Sequence, residues 1–446
     1  MLLKKRIYLL LIVMILGSVN AGCRIGEAVN IISPTPFITA TRSPTPEPSA
    51  TPEIIEGTIS IWHPFEESQR NILFRQIAAF QKQYPFILFD VQYVPMLDLL
   101  PAFQTAIESG RGPTILIAPA EWGPALFDQD FVLDLSSLAD KTLLNSLNPP
   151  AVQSGNYRGT LISLPLDIKG VVLYRNQTII PVSPATFEDM LSLVNNATRG
   201  EVVGAFLERG FFYSGGHLYG LGGELIGENG EPLFDADNFY YSNAWLDLLK
   251  AFERLGPTQY NNDQDINLFK ESRVGLIIDG TWNMQSLADA IGQNNLAIDP
   301  WPRYQDGHLS GFVQSENIYL TSRAKDEANQ ISWMFIKSMY TEEVQLSMAD
   351  VGLIPAGSGA LEFHLSDKVN VNHPLIAQAM IAMVDGAPYP ILPEFGAYNI
   401  PMDIALQSAL YKKVDNQKAL QTAYDSIQTT LSNLHPPPQL TPTNQP

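Results

Sequence analysis

Few side chains in this sequence are spaced to do covalent or metal chemistry. The six histidines, His63, His217, His308, His364, His373 and His435, include no pair at metal-ligand spacing. The single cysteine, Cys23, has no second thiol to bridge with. There is no Gly-x-Ser-x-Gly elbow and no Gly-Lys-Ser/Thr phosphate loop. Gly220-Leu221-Gly222-Gly223 lacks the following helix and downstream acid that a dinucleotide fingerprint requires. Carboxylates remain. Glu66 and Glu121 are of the type that glycoside hydrolysis uses, two acids about 5 to 9.5 Å apart. Acids of this kind also accept paired hydrogen bonds from vicinal diols without reacting. No metal and no cofactor is expected.

Cys23 stands at the end of a segment with its own logic. Lys4-Lys5-Arg6 precede an uncharged apolar run from Ile7 to Val19, and Ala21-Gly22 come just before the thiol. That order reads as an export signal over residues 1–22 ending in a lipid attachment site, with Cys23 carrying diacylglycerol and holding the mature chain to the outside of the cell membrane. The alternative is an uncleaved signal anchor, although about 16 uncharged residues fall short of the roughly 20 that a spanning helix prefers. Residues 23–56 then hold Ser33-Pro34-Thr35-Pro36, Ser43-Pro44-Thr45-Pro46-Glu47-Pro48 and Thr51-Pro52, a composition that builds no core. As an extended tether at about 3.1 Å per residue they reach roughly 100 Å. Residues 435–446, with Pro436-Pro437-Pro438, are expected to be a disordered tail.

The body between these ends has about 380 residues, more than one core normally organises, so two lobes are expected. Forty-six acids against 27 bases give a formal charge of −19, a surface that repels nucleic acid and anionic lipid. Without disulfides, stability outside a cell must come from a large core.

Hydrophobic periodicity gives an α/β order. Thr58 to Ile61 alternates as a strand, and Leu73, Ile77, Phe80 and Tyr84 make one stripe of a helix that Pro85 ends. Ile87, Phe89, Val91 and Tyr93 share a strand face, a helix-like run reaches Ser109, and Thr114 to Ile117 suits a buried parallel strand. Leu161 to Pro165 and Gly170 to Tyr174 read as two further strands, Thr186 to Asn195 and Asn243 to Leu255 as helices, and Val274 to Asp279 as a strand leading to a helix near Asn283. Ile318 to Leu320 is a strand; Ala328, Ile331, Phe335 and Met339 stripe the next helix. A C-terminal helix carries Leu420, Ile427, Leu431 and Leu434 on one side.

Taken in order, several segments resemble the extracellular solute-binding proteins of carbohydrate ABC importers, the family that includes the maltose-binding protein. They are Gly57-Thr-Ile-Ser-Ile-Trp-His63, Ala78-Ala-Phe-Gln-Lys-Gln-Tyr-Pro85, Pro113-Thr-Ile-Leu-Ile117 leading to Glu121-Trp122, Tyr157-Arg-Gly-Thr-Leu-Ile-Ser-Leu-Pro165 and Tyr174-Arg-Asn176, followed by Phe269 to Trp282, Trp333 to Lys337 and Thr341 to Val344. The resemblance covers nearly all of 57–434. It implies a periplasmic-binding-protein-like α/β fold of two lobes, a hinge and a central ligand cleft, with lobe 1 formed by 57–168 and 309–345 and lobe 2 by 169–308 and 346–434. It also implies a monomer that binds a carbohydrate and delivers it to ABC permease subunits, with no nucleic-acid partner. An extracellular carbohydrate-active enzyme and a module presenting ligand to a membrane sensor stay open as alternatives.

A sugar offers apolar C–H faces rimmed by hydroxyls, so its site needs aromatic platforms and planar polar groups. The resemblance assigns Trp282, in Gly280-Thr281-Trp282-Asn283, to a stacking position, with Thr281 where the family usually has Pro. It places Phe65 and Glu66 in the first binding loop, ahead of His63 as a packing residue, and Glu121 and Trp122 after an apolar strand. Asp167 and Lys169 fall at the first crossover, where Lys169 departs from the acid of maltose binders. Phe212 lies in a second aromatic loop, and Tyr398 near another platform.

Overall fold

The computed structural model describes residues 55–234, 239–325, 327–357 and 364–434. The signal, Cys23, nearly all of the tether and the tail from His435 lie outside the described residues.

The chain opens with β1 (Gly57–His63), α1 (Glu67–Gln83), β2 (Ile87–Tyr93), α2 (Met96–Glu108) and β3 (Ile115–Pro119). β1 pairs in parallel with both β2 and β3. After short helices and a small hairpin between 120 and 161 comes β4 (Leu164–Asn176), a single strand of 13 residues where periodicity gave two. The sequence interrupts its apolar run with Asp167, Lys169 and Gly170. The ladder continues through them because β-pairing needs only backbone, and these polar side chains face a cavity rather than a core.

After β4 come α3 (Phe187–Ala197), β5 (Val203–Ala205), α4 (Phe211–Gly220), α5 (Phe239–Ala251), β6 (Val274–Gly280), α6 (Met284–Ile291) and β7 (Leu296–Asp299). Thr186 caps α3 in a reciprocal box with Asp189, each side chain accepting from the other's backbone N–H at 3.0 and 3.1 Å. α5 starts four residues before the expected Asn243, and its end relaxes into a 3-10 turn at Phe252–Arg254. β8 (Phe312–Leu320), α7 (Glu327–Ser338), α8 (Glu342–Ala349), β9 (Ile354–Pro355), α9 (Pro374–Ala382), β10 (Ala387–Pro388), α10 (Asn399–Leu410) and α11 (Asn416–Leu434) complete the order.

The sheet runs β2-β1-β3-β8-β4-β6-β5, with β7 and β9 also on β4 and β10 on β8. β4 changes partners along its length. Its first part, to Gly170, pairs with β8; from Val171 to Arg175 it pairs with β6. Between Glu316/Asn317 of β8 the register shifts, because β4 carries one extra residue, Leu166, between their partners Asp167 and Pro165, the latter unable to donate to a ladder.

Each half of the sheet is sandwiched. On the β1 side, Ile59, Ile61, Ile115, Ile117 and Ile318 pack with Leu73, Ile77 and Phe80 of α1 and Ile331 and Phe335 of α7. Leu116, Ala118 and Tyr319 pack oppositely with Leu99, Phe103 and Ile107 of α2. On the β6 side, Leu173, Leu276 and Ile278 face α3, α5, α10 and α11, while Val172, Tyr174 and Ile277 face α6 and α9. Leu434 was expected on the buried stripe of α11 but is 58% exposed. The stripe ends with Ile427 and the partly buried Leu431, since the core does not extend to the last turn.

Candidate functional site

Where β4 exchanges partners, a cavity of about 320 Å³ opens. Its floor is Asp167, Ile168 and Lys169 of β4 with Glu316 of β8. Pro64 and Phe65 after β1, Gln69 of α1 and Met96 of α2 form one wall. Thr281, Trp282 and Met284 after β6 form another, and Gly352, Leu353 and Ile354 close the end.

The first wall is fixed by His63. The Phe65 backbone N–H donates to His63 Nδ1 at 3.1 Å, so that nitrogen is an acceptor. Burial, with Arg70 adding to it, holds the imidazole at about 4, and His63 packs as a neutral ring. Glu66 lies outside the cavity lining. It is exposed and accepts from Tyr93 OH at 3.0 Å.

The second wall hangs on β6. The Asp279 carboxylate accepts from the Gly280 N–H and, at 3.0 Å, from Asn283 Nδ2, which folds the turn that carries Trp282. Thr281 Oγ1 accepts the Gly170 N–H at 3.2 Å, and Tyr174 OH donates to the Gly280 carbonyl at 2.9 Å, tying the turn to β4. Gly280 is required by close approach, because a Cβ there would stand 2.0 Å from the indole of Trp282. Trp282 is 47% exposed, unusual for so large a ring. Phe212 lies 5.9 Å from it and 5.8 Å from Tyr389, extending the aromatic wall.

The floor is electrostatically unusual. Glu316 stands opposite Asp167 in the β4–β8 register. Lys169 Nζ is 3.4 Å from Glu316 Oε1, while Glu316 Oε2 and Asp167 Oδ2 are buried and accept no hydrogen bond. Burial, reinforced by the charge of Glu316 and opposed by Lys169, pushes Asp167 up to about 8. Burial likewise raises Glu316. Such a floor offers acceptors to a ligand's donors.

The structure thus brings Phe65, Asp167, Lys169 and Trp282 to one cavity, with Phe212 beside it in the first turn of α4, a helix where a loop was expected. Glu121 is one step away, in the turn after β3, with Oε1 accepting from Gln314 Nε2 at 2.7 Å. Trp122 is not at the cavity; it packs partly buried on the α2 side of the sheet. Tyr398 is also corrected. It is 0% exposed in the core, with its hydroxyl donating to the Gly230 carbonyl at 2.8 Å, because the 3-10 turn Pro393–Ala397 directs it inward. Sequence reasoning missed Glu316, Gln314 and Tyr389. Gln314 and Glu316 are two apart on β8, so carrying the strand alternation back from Ile318 would have placed them on one face.

Comparison with known proteins follows from this geometry. The family described as bacterial extracellular solute-binding proteins matches residues 75–375. The maltotriose-binding protein of Pyrococcus abyssi is 25% identical over 367 residues, covering 76% of this chain and 75% of that protein. The galactooligosaccharide-binding protein of Bacillus subtilis is 22% identical, over 84% of this chain and 90% of its own. The maltooligosaccharide ABC transporter solute-binding lipoprotein of Streptococcus pneumoniae is 24% identical, over 73% and 77%. These relatives are binding proteins. Among solved structures, the cyclic alpha-maltosyl-1,6-maltose binding protein of Arthrobacter globiformis superposes with a TM-score of 0.71 at 16% identity, covering 85% of this chain and 100% of that one. That likeness establishes the fold, α/β with two lobes.

Proposed function

We propose that this chain, which belongs to the bacterial extracellular solute-binding protein family, captures an oligosaccharide in the cavity at its crossover strands and delivers it unaltered to an ABC permease. One observation carries the reading. Phe65, Asp167, Lys169, Trp282 and Glu316, from segments more than 200 residues apart, line a single cavity with an exposed aromatic ring on one wall and polar acceptors on the floor. That pairing suits a ligand with apolar faces and a hydroxyl rim. The sugars in the names of the matched relatives support the same class.

We assign 57–168 with 309–345 to one lobe and 169–308 with 346–434 to the other, with β4 and β8 as crossovers. A ligand that touches the Phe65 wall and the Trp282 wall favours the closed arrangement, because only differential affinity shifts the two populations. The working form is a monomer outside the cytoplasm, held to the membrane by lipid on Cys23. The test is calorimetry of the purified protein against maltooligosaccharides and galactooligosaccharides, with the sugar recovered and sized. Binding with intact recovery is expected. No binding across the panel refutes the proposal, and shortened products point instead to the hydrolytic alternative.

A further inference from the structure

The cavity floor and its margin hold more carboxyl groups than cations. Asp167 and Glu316 face each other across the β4–β8 ladder, and Glu121 lies close enough to raise the Glu316 carboxyl. The cation facing these three carboxylates is Lys169, engaged with Glu316 Oε1 at 3.4 Å. Asp167 is only 5% exposed, and its Oδ2, like Glu316 Oε2, accepts no hydrogen bond. The other groups that line the cavity around them, Gln69, Met96, Ile354 and Thr281, carry no charge. A neutral hydroxyl supplies a donor to such oxygens but leaves the proton on Asp167 where it is. An ammonium group supplies three donors and offsets the charge that Asp167 takes on when that proton leaves. The exposed ring of Trp282 in the same cavity also attracts a cation.

We infer that the cavity selects an oligosaccharide bearing a protonated amine, an amino sugar whose ammonium group donates to Asp167 and Glu316 while a ring face lies on Trp282. This rests on the oligosaccharide reading and specifies the class of sugar. In the empty protein, burial and the Glu316 charge keep a proton on Asp167 up to about pH 8. The incoming ammonium takes that proton's place, so binding at pH 6.5 releases a proton to the buffer.

Two matched pairs test this by calorimetry at pH 6.5: the glucosamine trimer against cellotriose, and maltotriose aminated at C6 of a terminal ring against maltotriose. The amine is expected to bind at least tenfold more tightly in one pair, with proton release visible as a dependence of the heat on buffer ionisation enthalpy. Asp167→Asn and Glu316→Gln are each expected to bring the amine-to-hydroxyl affinity ratio toward one, with thermal melting showing that the variants fold. Equal or tighter binding of the neutral member in both pairs overturns the inference and leaves the oligosaccharide reading standing. An unchanged ratio in both variants overturns it too. If none of the four sugars binds the inference falls, and the oligosaccharide reading falls with it only when the malto- and galactooligosaccharide panel gives no binding either.

Discussion

Asp167 is a liability to the fold, and its replacement by Asn is expected to stabilise the protein at alkaline pH. Its buried carboxyl faces Glu316, and desolvation first, with Glu316 second, moves it from an ordinary 3.8 to about 8. Between these values the folded chain keeps a proton that the unfolded chain has lost. The folded state therefore binds more protons, and stability falls as pH rises, by up to ~1.4 kcal/mol per pH unit. From pH 5 to pH 8 the limit is ~4 kcal/mol, and relaxation of Lys169 and entry of water bring the expected loss to ~2 kcal/mol. Asn keeps the shape and removes the titration, and since Oδ2 accepts no hydrogen bond, none is lost there. The variant's advantage over the parent should then grow by ~2 kcal/mol across this interval. For a body of this size that is about 2 to 3 °C in melting temperature. Scanning calorimetry of both proteins at pH 5, 6, 7 and 8 measures it. His63 and His217, held at about 4 and about 3, act in the opposite sense, withdrawing stability as pH falls below 6.5, but they are common to both proteins and cancel in the difference. Parallel melting curves for the two proteins would refute the reasoning.

Other perturbations separate binding from folding. Trp282→Ala should weaken oligosaccharide binding about 10- to 100-fold, the worth of burying a large aromatic face, with little change in melting temperature, since the ring is already half exposed. Unchanged affinity by calorimetry counts against Trp282 as a platform. Gly280→Ala sets a methyl where the indole lies, so Trp282 must turn; affinity should fall and indole fluorescence shift while the fold survives. Asp299→Ala strands a buried guanidinium. Arg175 donates from Nε at 2.7 Å and Nη2 at 3.0 Å to the Asp299 carboxylate, and its Nη1 reaches the Ile180 carbonyl at 2.9 Å. Loss of ~3 to 5 kcal/mol is expected in denaturant unfolding, with ligand affinity unchanged in the protein that remains folded.

The elements were legible where side-chain periodicity and packing agree. The stripe Leu73, Ile77, Phe80 and the run Thr114 to Ile117 each came out as a helix or strand within a residue or two of the expected place. β4 was not, because local polarity at Asp167, Lys169 and Gly170 reads as a break. Only the pairing of β8 and β6 on either side of Gly170 shows one strand. The same limit governs the cavity. Trp282 and Phe65 announce themselves by type next to strand ends, whereas Glu316 matters for the register that sets it opposite Asp167, which is a property of two strands about 150 residues apart. Tyr398 failed for the converse reason: the resemblance sets it near a platform, but a short 3-10 turn precedes it and its ring is fully buried.

The position of the cavity follows from what β4 has to do. A strand that serves two halves of a sheet must pass from one partner to the other. At that point Gly170 leaves no room for a side chain, since a Cβ would lie 2.7 Å from the Phe312 carbonyl. Residues 167 and 169 point to the opposite face of the strand, where they line the cavity, and polar side chains are tolerated there as they would not be further on, among Val171, Val172 and Leu173. A buried acid at that seam costs stability in the empty protein as pH rises toward 8. A ligand that offsets the charge recovers the cost only by reaching the floor, and on the way it must touch the Phe65 and Trp282 walls together. Under the proposed two-lobe reading the floor acids would couple recognition to closure, since a solute that contacts one wall alone shifts no population of arrangements.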